Sequence, residues 1–246
     1  HLSIRRQRQM CIRDSHNIDK PQGLRVNFLS EFQSHLISQN ENIDFLWVYY
    51  QLEYHFMNLK ASKAKLRTDF LKKRVELCEA EHEKLSFEIA NMCLKLPIWD
   101  FEYYHLFLPI QSKAEIDTSL ILTMLQGRDK QVIVPKVRGK NLEHILLTDS
   151  TKIRINSWGI PEPDKGILIK PNQLDVVFTP LLSYDKSGHR VGYGNGFYDD
   201  FLANCKSEVI KVGLSFFKSV DQIDGIRSED ISLDYCVNPK EIINFS

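Results

Sequence analysis

Residues Gly188–Asp199 read GHRVGYGNGFYD, a stretch that places three glycines, Gly192, Gly194 and Gly196, at alternate positions. Alternating glycines allow successive backbone N–H groups to turn toward one point, because no Cβ atom obstructs them, and this geometry suits an anion. The following residues, FYDDFLANC, have the apolar spacing of a helix start, so the anion would also face a helix N-terminus. Asp199 could then hold the Mg²⁺ that accompanies a nucleotide phosphate. Taken alone, the stretch is equally compatible with a phosphate-binding loop and with a ligand-free glycine-rich hairpin.

Other common catalytic motifs are missing from the sequence. It contains neither the GxxxxGK[ST] loop nor a GxGxxG run with its third glycine at the proper offset. It also lacks the GxSxG elbow of α/β-hydrolases and the HExxH spacing of zinc proteases. His189, beside the glycine loop, has no partner at a fixed spacing, so a solvated or structural role is favoured over a catalytic one.

The composition is that of an ordinary globular protein. Of 246 residues, 43% are hydrophobic and 26% charged, and Lys+Arg equals Asp+Glu at 32 each. That balance gives no electrostatic signature for nucleic acid or an anionic membrane. The five cysteines have no CxxC spacing, which favours reduced thiols and a cytoplasmic location. We expect no transmembrane helix, because no apolar run reaches about 18 residues. We expect no secretory signal, because the N-terminus has no apolar core followed by a small-residue cleavage site.

The first 56 residues differ from the rest of the chain. Residues 1–15 carry four arginines without helical or strand periodicity, and residues 16–56 contain nothing that indicates chemistry. We interpret 1–56 as a non-native or disordered extension, with a partner-binding arm as an alternative. Met57 is then the expected natural start, and 57–246 is the functional domain.

From Met57 onward, helices and strands alternate. The predicted helices are Lys60–Glu79, Glu81–Leu96 and a third that begins at Asp117 or Thr118 and ends at Gly127. The predicted strands are Tyr103–Ile110, Gln131–Val137, His144–Thr148, Lys152–Asn156, Leu174–Pro180 and Val209–Phe217, and a hairpin is suggested between His144–Thr148 and Lys152–Asn156. A strand–helix–strand order favours a parallel sheet. The prediction is a three-layer α/β/α, Rossmann-like single domain with a mostly parallel sheet and Leu174–Pro180 at its centre.

Two further features outside the glycine loop are candidates for ligand binding. Lys63 and Arg67 lie four residues apart on one helix face, so both could reach one polyphosphate, although such charge is more often a solvated face. Trp158, in the proline-bearing loop SWGIPEPD, is either a packing residue or a flat ring that stacks on a planar ligand. Position alone favours packing.

Taken in order, several segments resemble the 5-formyltetrahydrofolate cyclo-ligase (methenyltetrahydrofolate synthetase) family. They are KAKLR at 63–67, EIDT at 115–118, VIVPKV at 132–137, WGIPEP at 158–163, LDVVFTP at 174–180 and DKSGHRVGYGNGFYD at 185–199. The last segment matches the family pattern D-x-x-G-x-R-[LV]-G-x-G-x-G-[FY]-Y-D at every fixed position. The resemblance covers about residues 60–246 and none of residues 1–56.

The resemblance implies a role for each matching residue. The implied ATP-binding residues are Lys63, Ala64, Lys65, Leu66, Arg67, Arg190, Val191, Gly192, Tyr193, Gly194, Asn195, Gly196, Phe197 and Tyr198. The implied folate-binding residues are Leu108, Glu115, Trp158, Tyr193, Gly194, Asn195, Gly196 and Phe197. The implied metal ligands are Asp199 and Asp230, and the implied catalytic residues are Lys63, Arg190 and Tyr198.

The resemblance also implies a reaction. ATP would phosphorylate the formyl oxygen of 5-formyltetrahydrofolate in the presence of Mg²⁺, and cyclisation would give 5,10-methenyltetrahydrofolate, ADP and phosphate. The partners would be folate and ATP alone, without nucleic acid or membrane, and the protein would be a monomer. The alternative is a phosphate- or sugar-phosphate-binding α/β protein without ligase activity.

Overall fold

A computed structural model describes residues 61–245 of the chain. The predictions for residues 1–56, including the start at Met57, lie outside this range. The helices are α1 (Lys63–Val75), α2 (Glu79–Cys93), α3 (Ser119–Gln126) and α4 (Phe197–Leu202). The strands are β1 (Ala61–Ser62), β2 (Tyr103–His105), β3 (Gln131–Arg138), β4 (Asn141–Leu146), β5 (Ile153–Ile155), β6 (Pro161–Pro163), β7 (Val176–Pro180), β8 (Ser183–Tyr184), β9 (Arg190–Val191), β10 (Ile210–Leu214), β11 (Ile223–Asp224), β12 (Tyr235–Val237) and β13 (Ile242–Asn244).

Seven strands form one central sheet in the order β13-β12-β10-β7-β2-β3-β4. The pairs β12/β10, β10/β7, β7/β2 and β2/β3 are parallel, whereas the two outer pairs, β13/β12 and β3/β4, are antiparallel. The predicted central strand is confirmed, because β7 has three strands on either side. Its apolar run is buried on both faces, which is typical of a parallel strand in an α/β sheet.

Alternate residues of β7 pack on opposite sides of the sheet. Val176 and Phe178 lie in a cluster with Ile89 of α2 and Ile121 of α3. Val177 lies in another cluster, with Phe201 and Leu202 of α4. Helices therefore cover both faces, and the predicted three-layer, mostly parallel architecture is confirmed. Full burial of one such apolar side chain contributes about 1.5–3 kcal/mol.

Helix α1 lies against the loops that follow the central strand. Its N-terminus is capped by Ser62, whose hydroxyl accepts a hydrogen bond from the backbone N–H of Lys65 at 3.3 Å. Leu66 and Phe70, four residues apart, pack on Leu182 and Val191. This apolar stripe fixes the face that α1 turns toward the glycine loop. None of the helices in residues 61–245 is both long and apolar enough to cross a membrane.

Some predicted boundaries were wrong. The helix predicted over Lys60–Glu79 ends at Val75, and the next begins at Glu79, because the Glu81 carboxylate accepts from the Cys78 backbone N–H at 3.4 Å and caps a new N-terminus. The strand predicted over Tyr103–Ile110 is regular only over Tyr103–His105. Beyond it, the chain stays extended and then forms a 3₁₀ turn at Gln111–Lys113.

The suggested hairpin between 144–148 and 152–156 was also wrong. Strand β4 instead pairs with β3, across a tight turn in which Gly139 has a φ of 60°. Strand β5 pairs with β6, the segment predicted to be a rigid proline loop. The strand predicted over Val209–Phe217 is shorter in the structure, where it is β10 (Ile210–Leu214). Strands β12 and β13 follow it in the sheet.

Candidate active site

A cleft of about 880 Å³ opens at the carboxyl ends of β2, β3 and β7, where open parallel sheets bind ligands. Most of the predicted site residues line it: Lys63, Ala64, Arg67, Leu108, Glu115, Trp158, Arg190, Gly192, Tyr193, Gly194, Asn195, Gly196, Phe197, Tyr198, Asp199 and Asp230. Three do not. Lys65 is exposed outside the cleft, and the side chains of Leu66 and Val191 are buried in the core. Helix and strand periodicity turns the side chains of those two residues inward.

The glycine loop takes backbone conformations that other residues rarely adopt. Gly194 has a φ of 100° and Gly196 a φ of 75°, and the chain enters α4 directly afterwards. Arg67 lies against this loop and donates from Nε to the carbonyl oxygen of Gly192 at 3.0 Å. The predicted order of loop and helix is thus present, with a cation from α1 held at the loop.

Two ion pairs connect the cations and carboxylates of the cleft. Lys63 pairs with Asp230, 167 residues later in the chain. Arg190 donates to Asp199 Oδ1 at 2.7 Å and also to the carbonyl oxygen of Ile231, and its side chain is only 5% exposed. Burial lowers the pKa of Arg190, while the nearby Asp199 and Asp230 oppose that shift. Burial raises the pKa of Asp230, but bonds from Lys63 and the Arg227 backbone outweigh it and leave the pKa below its usual value.

Asp199 and Asp230 each keep one carboxylate oxygen without a hydrogen bond in residues 61–245. Asp199 uses Oδ1, which accepts from Arg190 and from the Ile231 backbone, and Asp230 uses Oδ2. Asp199 Oδ2 and Asp230 Oδ1 are therefore free, and both residues line the cleft. Mg²⁺ prefers one or two carboxylates together with water and substrate phosphates, so this donor set fits that ion. Within the described part of the chain, there is no cluster of three or more His, Cys, Asp or Glu side chains of the kind that holds a metal without a substrate.

The cleft also contains a buried carboxyl group, which is bonded to Tyr193 of the glycine loop. Glu115 Oε1 accepts from the Tyr193 hydroxyl at 2.6 Å, and Oε2 accepts from the backbone N–H of Ile110 at 2.7 Å. Burial raises the pKa of Glu115, although these bonds and the charges of Arg74 and Lys113 oppose the shift.

Sequence reasoning missed Arg74 and Lys113. Arg74 donates to the Tyr193 hydroxyl, and Lys113 Nζ lies 3.9 Å from the centre of the Tyr193 ring. The only available signal was that Arg74 follows Arg67 by two helical turns and so shares its face.

Trp158 stands at the rim of the cleft with its side chain 59% exposed. Its backbone N–H donates to Asn156 Oδ1 at 2.9 Å, which also accepts from Ile160 N at 3.0 Å, so the turn is held while the ring is not packed. The packing interpretation was therefore wrong for Trp158. The indole face is free for a planar ligand.

Tyr198 and His189 differ in how far their polar atoms are satisfied. The Tyr198 hydroxyl is buried and has no hydrogen-bond partner among the described residues. Burial raises the pKa of Tyr198 strongly, so the phenol stays neutral near pH 7 and is not a base. His189 Nδ1 lies 3.3 Å from Asp185 Oδ2 inside a turn where Asp185 also accepts backbone N–H bonds. That arrangement agrees with the predicted structural role of His189.

Comparison with known proteins gives one consistent family. Residues 59–234 match the model of the 5-formyltetrahydrofolate cyclo-ligase family. A 5-formyltetrahydrofolate cyclo-ligase of Haemophilus influenzae is 28% identical over 173 residues, which cover 68% of this chain and 91% of the relative. A solved 5,10-methenyltetrahydrofolate synthetase from Aquifex aeolicus is 28% identical with a TM-score of 0.65, covering 74% of this chain and 92% of that one. A synthetase structure from Mycoplasma pneumoniae, 23% identical with a TM-score of 0.60 and covering 73% of this chain and 100% of that one, has a similar fold.

Proposed function

The chain belongs to the 5-formyltetrahydrofolate cyclo-ligase family, and we propose that it converts 5-formyltetrahydrofolate and ATP into 5,10-methenyltetrahydrofolate, ADP and phosphate with the help of Mg²⁺. One observation carries the proposal. A single cleft joins a glycine loop surrounded by Lys63, Arg67 and Arg190 to an end that holds Glu115 and the free face of Trp158. The first end suits a polyphosphate, and the second suits a flat, hydrogen-bonding ring system.

At the phosphate end, Lys63, Arg67 and Arg190 would bind the triphosphate. Charge-assisted hydrogen bonds from these groups are about twice as strong as neutral ones. The Arg190 side chain is almost completely buried, which strengthens its electrostatic interactions. Asp199 and Asp230 would hold Mg²⁺ through their free oxygens, and the ion would neutralise charge on the phosphates. The backbone N–H groups of the glycine loop would supply further donors.

At the folate end, Glu115 would accept N–H bonds from the pteridine. Each of its oxygens already accepts one bond, and each has a second lone pair available. Trp158 would stack on the pteridine or benzoyl ring, and Leu108 would provide apolar contact. The folate would then lie across Tyr193 to Phe197, next to the phosphates.

The reaction then needs positioning and charge neutralisation more than a protein nucleophile. The formyl oxygen attacks the terminal phosphorus of ATP, the P–O bond to ADP breaks, and the formyl carbon now carries a phosphate as leaving group. N10 attacks that carbon and loses its hydrogen as a proton, and the C–O bond to phosphate breaks. Lys63 and Arg190 would stabilise the charge that moves onto ADP and phosphate. The raised pKa of Tyr198 keeps its hydroxyl neutral, so this group would donate a hydrogen bond to the bound ATP.

The absorbance of methenyltetrahydrofolate tests the proposal. The full-length chain is mixed with 5-formyltetrahydrofolate, ATP and Mg²⁺, and each component is left out in turn. We expect a rise only in the complete mixture. Binding of ADP or phosphate without any rise would overturn the ligase proposal in favour of a phosphate-binding α/β protein.

The proposal includes a cytoplasmic monomer that binds folate and ATP but not nucleic acid or membrane. Two observations support the cytoplasmic location and the lack of nucleic-acid or membrane binding. Positive and negative side chains are equal in number, and Cys78, Cys93, Cys205 and Cys236 are all free thiols, as in a reducing compartment. Sedimentation of the purified chain with and without ATP measures the oligomeric state.

A further inference from the structure

Arg74, in the last turn of α1, is a buried cation that makes no direct ion pair within residues 61–245. Its side chain donates to three acceptors: Nε to the carbonyl oxygen of Lys113 at 2.8 Å, one terminal nitrogen to the carbonyl oxygen of Leu181 at 3.3 Å, and the other to the Tyr193 hydroxyl. The residue is only 4% exposed. Burial of an unpaired charge is expensive, so the nearest negative group must compensate it. Glu115, reached through Tyr193, is a carboxyl group whose charge interacts with that of Arg74.

The hydrogen bonds from Arg74 to Glu115 have only one possible direction. A guanidinium has donors but no acceptor, so the Tyr193 oxygen must accept from Arg74. The Tyr193 hydrogen is then directed to Glu115 Oε1 at 2.6 Å. Oε2 accepts from the Ile110 backbone at 2.7 Å. Both oxygens of the Glu115 carboxylate are therefore fixed as acceptors. Arg74 sets this orientation indirectly, because it binds the Tyr193 hydroxyl that donates to Glu115.

The face of the Tyr193 ring is held as well. Lys113 Nζ lies 3.9 Å from the ring centre, a cation–π contact that keeps the ring from swinging toward solvent. The backbone oxygen of Lys113 is also an acceptor for Arg74. Tyr193 is thus held at its hydroxyl by one cation and across its ring by another.

We propose that Arg74 is a positioning residue for substrate recognition, which acts through Tyr193 to hold Glu115 as a hydrogen-bond acceptor at the folate end of the cleft. The inference rests on the proposed function, in which Glu115 receives N–H groups of the pteridine. Arg74 itself does not line the cleft.

Helix α1 holds the glycine loop at two separate points. Arg67 binds the backbone oxygen of Gly192, whereas Arg74, two helical turns later, binds the side chain of Tyr193. In the proposed function, the first contact fixes the loop backbone beside the phosphates, and the second fixes the Tyr193 side chain that bonds Glu115 beside the folate. The two ends of the cleft are therefore separable by mutation, with Arg74 affecting folate more than ATP.

Steady-state kinetics of the full-length chain test this separation. Arg74→Met is expected to raise the KM for 5-formyltetrahydrofolate about tenfold, the size of one lost charge-assisted hydrogen bond, and to change the KM for ATP less than about twofold. Tyr193→Phe, which removes only the hydroxyl, is expected to act in the same direction. The matched control is Lys72→Met on the same helix, whose side chain is 76% exposed and outside the cleft.

The double variant Arg74→Met/Tyr193→Phe separates a positioning role of Arg74 from a general effect on folding. If Arg74 acts through Tyr193, Arg74→Met adds less than about twofold to the folate KM of Tyr193→Phe, whereas independent effects multiply. Arg74→Lys replaces Arg74→Met in the cycle if thermal melting shows that the methionine variant is unfolded. Equal rises in both KM values, or an unchanged folate KM in Tyr193→Phe, overturn the inference.

The inference and the proposed function fail in different ways. A wild-type chain without turnover overturns the proposed function, and calorimetric binding of 5-formyltetrahydrofolate to wild type and Tyr193→Phe then tests the inference directly. A wild-type chain that turns over, with Arg74 variants that bind folate as tightly, overturns the inference alone.

Discussion

Asp199 closes the glycine loop on Arg190, nine residues earlier, through a hydrogen-bonded ion pair of 2.7 Å. The same carboxylate oxygen accepts from the backbone of Ile231, next to Asp230. The two ends of the loop and the two candidate metal ligands are therefore held together by one carboxyl group. This places the carboxylates proposed to hold Mg²⁺ beside the cations proposed to bind phosphate.

Asp199→Asn tests that arrangement, because the amide oxygen still accepts from Arg190 while the negative charge is lost. We expect kcat/KM to fall at least 100-fold and the Mg²⁺ concentration for half-maximal rate to rise, with the fold retained. Methenyltetrahydrofolate absorbance across a Mg²⁺ titration measures both. Asp69→Asn, an exposed change on α1, is the control. Wild-type Mg²⁺ dependence in Asp199→Asn would exclude this carboxylate as a ligand.

Gly194→Ala and Gly192→Ala form a matched pair for the stability of the loop. At Gly194 the φ of 100° strains any L-residue, and an added Cβ would lie 3.2 Å from the Arg67 guanidinium; at Gly192 an added Cβ meets nothing within 4 Å. Gly194→Ala is expected to lower the free energy of unfolding by about 1–2 kcal/mol, and Gly192→Ala by less than about 0.5 kcal/mol. Urea denaturation measures both values. Equal losses would mean that the left-handed conformation at Gly194 is not required.

The central part of the fold could be predicted from the sequence because it rests on strong local patterns. The run LDVVFTP contains three consecutive apolar residues, Val176–Phe178, and a strand buried on both faces has that signature. The pairing of β5 with β6 could not be predicted, since strands of three residues carry no periodicity and Pro161–Pro163 is a poor strand sequence. Tertiary contacts determine the pairing of β5 with β6, because local propensity does not specify it.

The candidate site likewise contains some residues that could be predicted from the sequence and others that could not. Lys63, Arg67 and the glycine loop belong to contiguous motifs, and their chemistry shows in the residue types. Arg74 follows Lys72 and Lys73 in a run that reads as a solvated basic face. Only the packing of α1 decides which of these side chains is buried: Arg74 is 4% exposed and Lys72 76%. That outcome depends on distant segments, which spacing alone does not reveal.

The pH dependence of folate binding should report on Glu115. Its pKa is raised by burial and held down by the bond from Tyr193 and the charges of Arg74 and Lys113, while His82 faces only its backbone oxygen. Folate binding needs the ionised form of Glu115, and it is lost as the pH falls through the raised pKa of that group. Arg74→Met removes a lowering influence, so the acid limb of kcat/KM for folate should move to higher pH. An acid limb identical to that of wild type would show that Glu115 does not control it.

Two buried histidines should make the fold sensitive to acid. His105 and His144 lie on β2 and β4 with ring centres 5.2 Å apart, both against Phe201, and neither side chain of the pair has a partner for Nδ1 within residues 61–245. Burial lowers the pKa of His144 to about 4, and that of His105 falls well below its usual value. Both are therefore neutral in the folded protein at pH 7.

Because the folded pKa lies below the unfolded value of about 6.5, the unfolded chain binds more protons as the pH falls. The stability contributed by neutral His144 is complete above pH 6.5 and is lost progressively toward pH 4, with about 2 kcal/mol gone by pH 5. His144→Leu should remove this part of the acid dependence. Urea denaturation of wild type and variant at pH 7 and pH 5 measures it, and Lys72→Met, an exposed change on α1, is the control. A wild-type loss of stability that His144→Leu leaves unchanged would mean that other groups, such as His105, cause the acid sensitivity.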